Sequence, residues 1–256
     1  MKYFVPVLRF AQELPPQTEY QDKLGGIPWG LRPGDWPRCT DCGKSLSLLA
    51  QFAHHPERLD LGRPGRVLNV FQCNHRPGDC ETWEGGHGAN ACFVKDPEEL
   101  SPALTEVPAD APFIEDEVRV VEWSIHDDGL TPEEYHNFFA DETMPDDDEV
   151  LDRITSDTRL GGTPLWIQSP YEAPKGDWQF VGQLDSCYWL HTAPSQATCD
   201  ALDVHINALN TNTDGSLEVD NGHTHFCPGP NFGSGIGYIF LRIKGGTPEG
   251  WFFWQC

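Results

Sequence analysis

Four of the nine cysteines in this 256-residue chain stand in two pairs whose spacing suits a metal ion. Cys39 and Cys42 are separated by two residues, so both sulfurs can reach one ion, and Gly43 can take the positive φ that such a turn needs. Cys73 and Cys80 form a second, more widely spaced pair. Two pairs from separate loops, each beside a strand, are the layout of a zinc ribbon. We therefore predict one zinc ion bound by Cys39, Cys42, Cys73 and Cys80.

Other side chains compete for these roles. His75, His87 or Cys92 could replace a member of the second pair. A redox Cys-x-x-Cys is the rival interpretation of the first pair, but that motif needs a helix N-terminus, whereas Pro37 and Gly43 bracket a turn. Four thiolates would close the coordination sphere and leave no position for a catalytic water, so the predicted zinc is structural.

A second group of possible ligands lies near the end of the chain. His223, His225 and Cys227 alternate, which would place all three on one face of an extended strand. A metal-dependent hydrolase built on this cluster is one hypothesis, and an ordinary polar loop is the other. The sequence shows no nucleophile elbow, catalytic triad or phosphate-binding loop. We therefore favour a protein that is not an enzyme.

The charge of the chain is concentrated in one segment. Residues 96–157 contain 21 Asp and Glu against two Arg, which is −19 of the total net charge of −23. Affinity for phosphate comes from Lys and Arg, so this balance argues against binding to nucleic acid or to an anionic membrane. It favours a basic protein or peptide as partner. The alternative is a solvated face that only keeps the protein soluble.

Short strands and many turns are expected, because the chain has 25 Gly and 22 Pro. Apolar runs bounded by these residues predict strands at 3–12 (an edge strand), 46–52, 66–73, 89–94, 118–123, 178–184, 237–243 and 251–254. Thr131-Pro132-Glu133-Glu134 is a capping box that predicts a helix start. Further helices are expected after Pro145 and around 196–209.

One phrase occurs twice. Lys23-Leu24-Gly25-Gly26-Ile27-Pro28 and Arg159-Leu160-Gly161-Gly162-Thr163-Pro164 each precede a predicted strand that carries a glutamine, Gln51 or Gln183. Such self-similarity indicates one unit used twice. We predict an α+β, β-rich fold with two pseudo-symmetric halves on mainly antiparallel sheets and a zinc knuckle in the first half. The halves are 1–95 and 159–256, an acidic insert with a short helix occupies 96–158, and the whole forms one compact unit in which both glutamines are buried.

The cellular setting follows from what the sequence lacks. The first residues have no apolar run typical of a signal peptide, and no stretch approaches the ~18 apolar residues of a membrane span. In a reducing compartment cysteines remain thiols or metal ligands. We expect a cytoplasmic monomer.

These phrases together resemble the YwqG-like family of bacterial proteins. The similarity covers nearly the whole chain, and it is carried by Leu24-Gly25-Gly26-Ile27-Pro28, Trp36-Pro37-Arg38-Cys39, Leu48-Leu49-Ala50-Gln51, Phe71-Gln72-Cys73, Cys80-Glu81-Thr82-Trp83, Gly161-Gly162-Thr163-Pro164-Leu165-Trp166-Ile167-Gln168, Phe180-Val181-Gly182-Gln183-Leu184, Gly237-Tyr238-Ile239-Phe240 and Phe253-Trp254-Gln255. The first half also resembles the eukaryotic programmed-cell-death zinc-finger proteins, which are associated with escorting a basic ribosomal protein. The resemblance implies zinc-binding cysteines and a duplicated, β-rich α+β fold, but it does not imply an activity, since the bacterial members have no settled function. The long acidic segment and the second half depart from the eukaryotic pattern.

Overall fold

The computed structural model describes residues 1–76, 78–110, 114–140, 148–202, 207–208 and 225–256, with the main chain alone at 148, 207–208 and 225–227. Strands dominate this part of the chain. They are β1 (Lys2–Phe10), β2 (Lys23–Leu24), β3 (Ser47–Ala53), β4 (Val67–Gln72), β5 (Asn90–Lys95), β6 (Val118–Asp127), β7 (Arg159–Gly161), β8 (Gln179–Asp185), β9 (Cys187–Leu190), β10 (Asn207–Ala208), β11 (His225–Pro228), β12 (Ile236–Lys244) and β13 (Thr247–Gln255).

Ten of these strands form one antiparallel sheet in the order β13-β12-β8-β7-β1-β6-β2-β3-β4-β5. The remaining three form a small sheet, β10-β11-β9. The strands predicted at 46–52, 66–73, 89–94, 178–184 and 237–243 are confirmed to within one residue at each end. The strands predicted at 118–123 and 251–254 are also present and are longer than expected.

The first strand was predicted to lie at an edge of the sheet, and this is wrong. β1 lies at the centre, where it pairs along its whole length with β6 and at Tyr3 and Phe4 with β7. Most of its side chains are buried. Its partner β6 comes from segment 96–158, so the acidic segment supplies a central strand. Outward from this pair the order reads β7, β8, β12, β13 on one side and β2, β3, β4, β5 on the other.

The sheet curves until its two outer strands touch. Gly250 on β13 lies so close to β5 that a Cβ at this position would stand 2.6 Å from the carbonyl oxygen of Cys92. Next to it the amide of Trp254 donates to the carbonyl of Trp83, at 3.4 Å. Only glycine permits the approach at 250, because any side chain would meet main-chain atoms. Both halves therefore enclose one core.

That core joins apolar side chains from both halves. The largest cluster includes Leu49 and Phe52 from β3 together with Leu184, Ile239 and Phe252 from the second half. A separate cluster surrounds the four cysteines, and a third, rich in aromatic rings, lies between the helical segment after β6 and the outer face of β8, β12 and β13.

In the described part of the chain three short α-helices connect the strands: α1 (Pro132–Asn137), α2 (Asp148–Leu151) and α3 (Gln196–Leu202). The predicted capping box of α1 is confirmed. The amide of Glu134 donates to Thr131 Oγ1 at 3.2 Å, and the amide of Thr131 donates to Glu134 Oε2 at 2.7 Å. No helix in the described residues is long and apolar enough to cross a bilayer.

The two copies of the repeated phrase make matching contacts. β2 sets Lys23 opposite Gln51, and β7 sets Arg159 opposite Gln183. The two adjacent glycines of each copy, Gly25 and Gly26 or Gly161 and Gly162, have positive φ, between 63° and 77°. Both glutamines are fully buried, as predicted, and each accepts a hydrogen bond from a main-chain amide just beyond its own Leu-Gly-Gly turn.

Candidate metal centre

The structure brings the four predicted cysteines together. The sulfurs of Cys39, Cys42, Cys73 and Cys80 all lie within 4.8 Å of one another, and Cys42 and Cys73 are 3.6 Å apart. A tetrahedral ion with metal–sulfur bonds of about 2.3 Å would separate its sulfurs by roughly 3.8 Å. This cluster could therefore hold a metal ion. His75, His87 and Cys92 are not among its members.

A tight main-chain turn positions the first pair. Arg38 and Ser45 form an antiparallel bridge, and within it the amide of Cys39 donates to the carbonyl of Lys44 at 2.8 Å. The amide of Gly43 returns to the carbonyl of Cys39 at 2.9 Å, and Gly43 has φ +70° as predicted. The turn directs both sulfurs to the same side.

The second pair depends on the sheet. Cys73 follows β4 directly, and its amide donates to the carbonyl of Ala89 just before β5, at 2.9 Å. The amide of Cys80 donates to the carbonyl of Arg76 at 3.1 Å. β4 and the residue just before β5 thus fix the position of Cys73, which is where the loop to Cys80 begins.

Burial acts strongly on these thiols. Cys39, Cys73 and Cys80 are nearly inaccessible. Burial raises the pKa of Cys73 to about 11, although an amide hydrogen bond from His75 opposes the shift. Burial and the neighbouring thiols also raise the pKa of Cys80. For Cys42 burial acts in the same direction, but the amide of Lys44 and the neighbouring thiols outweigh it and lower its pKa. A bound cation would favour all four thiolates.

The cysteines belong to their own apolar cluster. Cys39, Cys73 and Cys80 pack with buried residues that come from the loop before β3, from β3 and β4, and from the position just before β5: Leu31, Trp36, Leu46, Leu48, Phe71 and Ala89. The Trp36 indole also donates to the carbonyl of Leu46 at 2.8 Å. Because this apolar cluster is small and separate from the main core, the stability of the first half depends on how firmly the four cysteines are held together.

Sequence reasoning missed a neighbouring group of possible ligands. Glu81, Glu84 and His87 also present ligand atoms within 4.8 Å of one another. His87 Nε2 lies 3.1 Å from Glu81 Oε2, and the amide of Glu81 donates to Asp41 Oδ2 at 3.0 Å. Glu81, Glu84 and His87 stand at every third position in the sequence, and this regular spacing is the signal from which the group could have been predicted. Thr40 Oγ1 also donates to the carbonyl of His87 at 3.0 Å, so these contacts tie the two cysteine loops together.

The cluster proposed for a hydrolase is only partly described. His223 lies outside the described residues. His225 and Cys227 lie on β11, which pairs with β9, and only their main chain is described. The ligand hypothesis for this cluster therefore stays a prediction.

Cations of the protein itself neutralise much of the acidic segment. Lys and Arg side chains from outside the segment pair with Asp96, Glu98, Glu99, Asp110 and Glu117, at 2.5–3.3 Å. Residues 141–147 lie outside the described part, and in sequence the stretch 141–149 holds six acidic residues and no basic one.

Comparison with known proteins gives no further information. No family model, no curated protein and no solved structure matches this chain.

Proposed function

We propose that this protein is a cytoplasmic, non-enzymatic binding protein that recognises a basic protein or peptide and whose first half is stabilised by zinc. The observation that carries this proposal is the concentration of −19 charges in residues 96–157. A chaperone-like role towards a basic client, or neutralisation of a basic toxin, would both use such a segment. The resemblance of the first half to the programmed-cell-death zinc-finger family, which is associated with escorting a basic ribosomal protein, supports the same class of function.

Zinc fits the cysteine cluster better than other metals. Four sulfur ligands in near-tetrahedral spacing suit Zn²⁺ or an iron–sulfur cluster. The Cys-x-x-Cys turn with its following glycine is the knuckle of structural zinc sites. Four thiolates leave no open position on the ion, so this metal would stabilise the fold and would not activate water.

The stretch 141–149 is the part of the segment that we expect to meet the partner. Many acidic residues before it have cations of the protein as neighbours, as the pairs of Asp96 and Glu117 show. The next arginine after the stretch, Arg153, pairs with Glu134 at 3.2 Å. In sequence the stretch holds six acidic residues and no basic one, and charge of one sign attracts a cationic partner over a Debye length of about 10 Å at 0.1 M salt.

The test is to purify the protein from its native cell with its partners, identify them by mass spectrometry, and measure binding of the recovered partner. We expect a basic protein whose association slows as salt is added. Replacing Asp146, Asp147 and Asp148 together by Asn should lower the association rate more than it raises the dissociation rate.

A matched variant removes the same charge elsewhere, at the exposed carboxylates of Glu19, Glu57 and Asp60. It should change the association rate less than the Asn triple does. Recovery of no basic partner, or equal effects of the two triple variants, would mean that the acidic segment serves solubility.

Duplication of one structural unit is the second part of the proposal. It is supported by the strand order on either side of the β1–β6 pair and by the matching contacts of Gln51 and Gln183. In this scheme β6, which lies in the acidic insert, corresponds to β1, and each of these two strands pairs with the short strand of the other unit, β1 with β7 and β6 with β2. Only one unit carries the cysteines, so the metal site would be a feature of the first copy.

A further inference from the structure

A cleft of about 810 Å³ lies between the helical segment after β6 and the second half. Helix α1 and the residues just after it form one wall with Tyr135 and Phe139, and the loop at 170–176 forms the other. Phe180 and Phe240 lie at its base. We call this site the aromatic cleft. Cavities of this size accommodate a ligand or several residues of a peptide.

The walls of the aromatic cleft are fixed by ring packing. Phe139 packs edge-on against the buried Trp166 with ring centroids 5.9 Å apart, and Phe180 packs against Phe240 at 5.7 Å. Tyr171 differs from these rings, because it is 71% exposed. It is the most exposed large hydrophobic side chain of the described residues.

Cations of the chain already lie over aromatic faces here. Lys175 Nζ lies 5.3 Å from the centre of the Tyr171 ring, and Arg242 Cζ lies 4.4 Å from that of Trp178. Glu249 holds Arg242 in place at 2.7 Å. No carboxylate among the described residues pairs with Lys175, so it can leave Tyr171 without breaking an ion pair.

Charge around the cleft also favours a cation. The exposed carboxylates of Glu172 and Asp177 lie beside lining residues in the sequence; Asp177 is 3.9 Å from Arg242, and Glu172 accepts from Gln255 Nε2 at 3.1 Å. Ala140 lines the cleft, and the acidic stretch 141–149 follows it directly in the sequence. Lys175 and His136 are the basic side chains in the described lining.

We propose that the aromatic cleft binds an arginine-bearing extended segment of the basic partner, with the guanidinium lying over Tyr171 in place of Lys175. This rests on the proposed function, since it names the site at which the basic partner docks. Arginine is favoured because its planar, weakly hydrated cation stacks on aromatic faces, as Arg242 does on Trp178. The acidic stretch would speed the encounter, and the cleft would hold the bound segment.

The test uses a short capped arginine-containing peptide and its counterpart with citrulline at every arginine, titrated into the full chain by calorimetry at low salt. Tyr171→Leu keeps apolar surface and removes the π face, so it should weaken the arginine peptide about fivefold. Tyr171→Phe keeps the π face and should bind as the wild type does. Lys175→Gln should tighten binding more than Lys244→Gln, which removes the same charge from the exposed β12–β13 turn.

Each outcome bears on one of the two proposals. Binding that the Asp146, Asp147 and Asp148 triple weakens but that Tyr171→Leu leaves unchanged would overturn the aromatic cleft and retain the proposed function. Equal binding of the citrulline peptide would overturn the cationic occupant, because recognition would then not depend on charge. Failure of the arginine peptide to bind the wild-type chain would overturn the aromatic cleft, whereas the proposed function is tested by recovery of a basic partner from the native cell.

Discussion

The side chain of Gln51 satisfies both main-chain groups of Trp29. The Trp29 amide donates to Gln51 Oε1 at 2.9 Å, and Gln51 Nε2 donates to the Trp29 carbonyl at 2.7 Å. In the second half the amide of Leu165 donates to Gln183 Oε1 at 3.1 Å. Each glutamine thus fixes the loop that follows its Leu-Gly-Gly turn onto the neighbouring strand, 22 or 18 residues away.

Replacing Gln51 by Leu should destabilise the protein by about 2–4 kcal/mol, because two buried main-chain groups of Trp29 lose their partner. Gln183→Leu should have an effect of the same sign. Chemical denaturation monitored by fluorescence measures both. Gln12→Leu, at an exposed position, is the control and should change the free energy of unfolding by less than 0.5 kcal/mol or so. Equal stability of the Gln51 and Gln12 variants would contradict the role given to the amide.

The buried Lys23 should depend on Glu117. Its ammonium group is inaccessible and lies 3.0 Å from the Glu117 carboxylate, and burial lowers its pKa although that carboxylate opposes the shift. Glu117→Gln removes the partner of a buried charge and should cost about 3 kcal/mol. Adding Lys23→Met should recover part of the loss, because the unpaired charge is then gone. Additive costs in this double-mutant cycle would show that the pair is not coupled.

Cys42→Ser should remove the metal and unfold the first half at a lower temperature. Metal binding at a structural zinc site contributes on the order of 10 kcal/mol. Elemental analysis of protein purified without chelator should find one zinc per wild-type chain and a loss of it in the variant. Cys256→Ser, an exposed cysteine outside the cluster, should keep its zinc.

Two other results would change the interpretation of the metal. No zinc in the wild-type protein would exclude the predicted site. A second, weakly held metal that survives Cys42→Ser would favour the hydrolase hypothesis for His223, His225 and Cys227.

Glu115 should make the protein less stable as the pH rises. Burial, with a smaller contribution from Asp116, raises the pKa of Glu115 to about 7, while a hydrogen bond from Asn74 at 2.6 Å opposes the shift. Between about pH 4.5 and 7 the folded state keeps a proton that the unfolded state loses, so the free energy of unfolding falls through this window. Glu115→Gln keeps the acceptor for Asn74 and removes the charge.

This variant should therefore be more stable than the wild type at pH 8, by on the order of 2 kcal/mol, and nearly equal to it at pH 4. Denaturation at both pH values, with zinc held constant, measures the difference. Glu106→Gln, at an exposed site, should show no such dependence. A Glu115→Gln variant that follows the wild-type pH profile would contradict the assignment.

Much of the local structure was determined by the sequence alone. Alternating apolar residues between glycines and prolines located the strands, since side chains of a strand point to opposite faces in turn. The capping box at Thr131 located α1, because it supplies partners for the free amides of a helix start. The spacing of Cys39 and Cys42 predicted a turn with both sulfurs on one side. The other two predicted ligands, Cys73 and Cys80, followed from their position in the loop after the strand β4.

The tertiary structure alone decided which strands are neighbours. The alternation of apolar and polar residues predicts that β1 is a strand, but it does not identify the strands that pair with it. These are β6 and β7, more than 100 residues away in the sequence. The same limit applies to charge. The sequence gives the number of carboxylates in the acidic segment. Only the folded chain shows which of them are paired with a cation, as Glu117 is with Lys23 and Asp96 is with Arg66.

The aromatic cleft was also beyond the sequence. Its rings come from α1 and the residues just after it, from the loop at 170–176, and from β8 and β12. In the sequence none of these rings can be distinguished from an ordinary core residue. Whether Tyr171 is packed or exposed depends on the position of α1 relative to the sheet. That position follows from the burial of Phe138 and Trp166 against rings of β12 and β13, which are long-range contacts that no local pattern encodes.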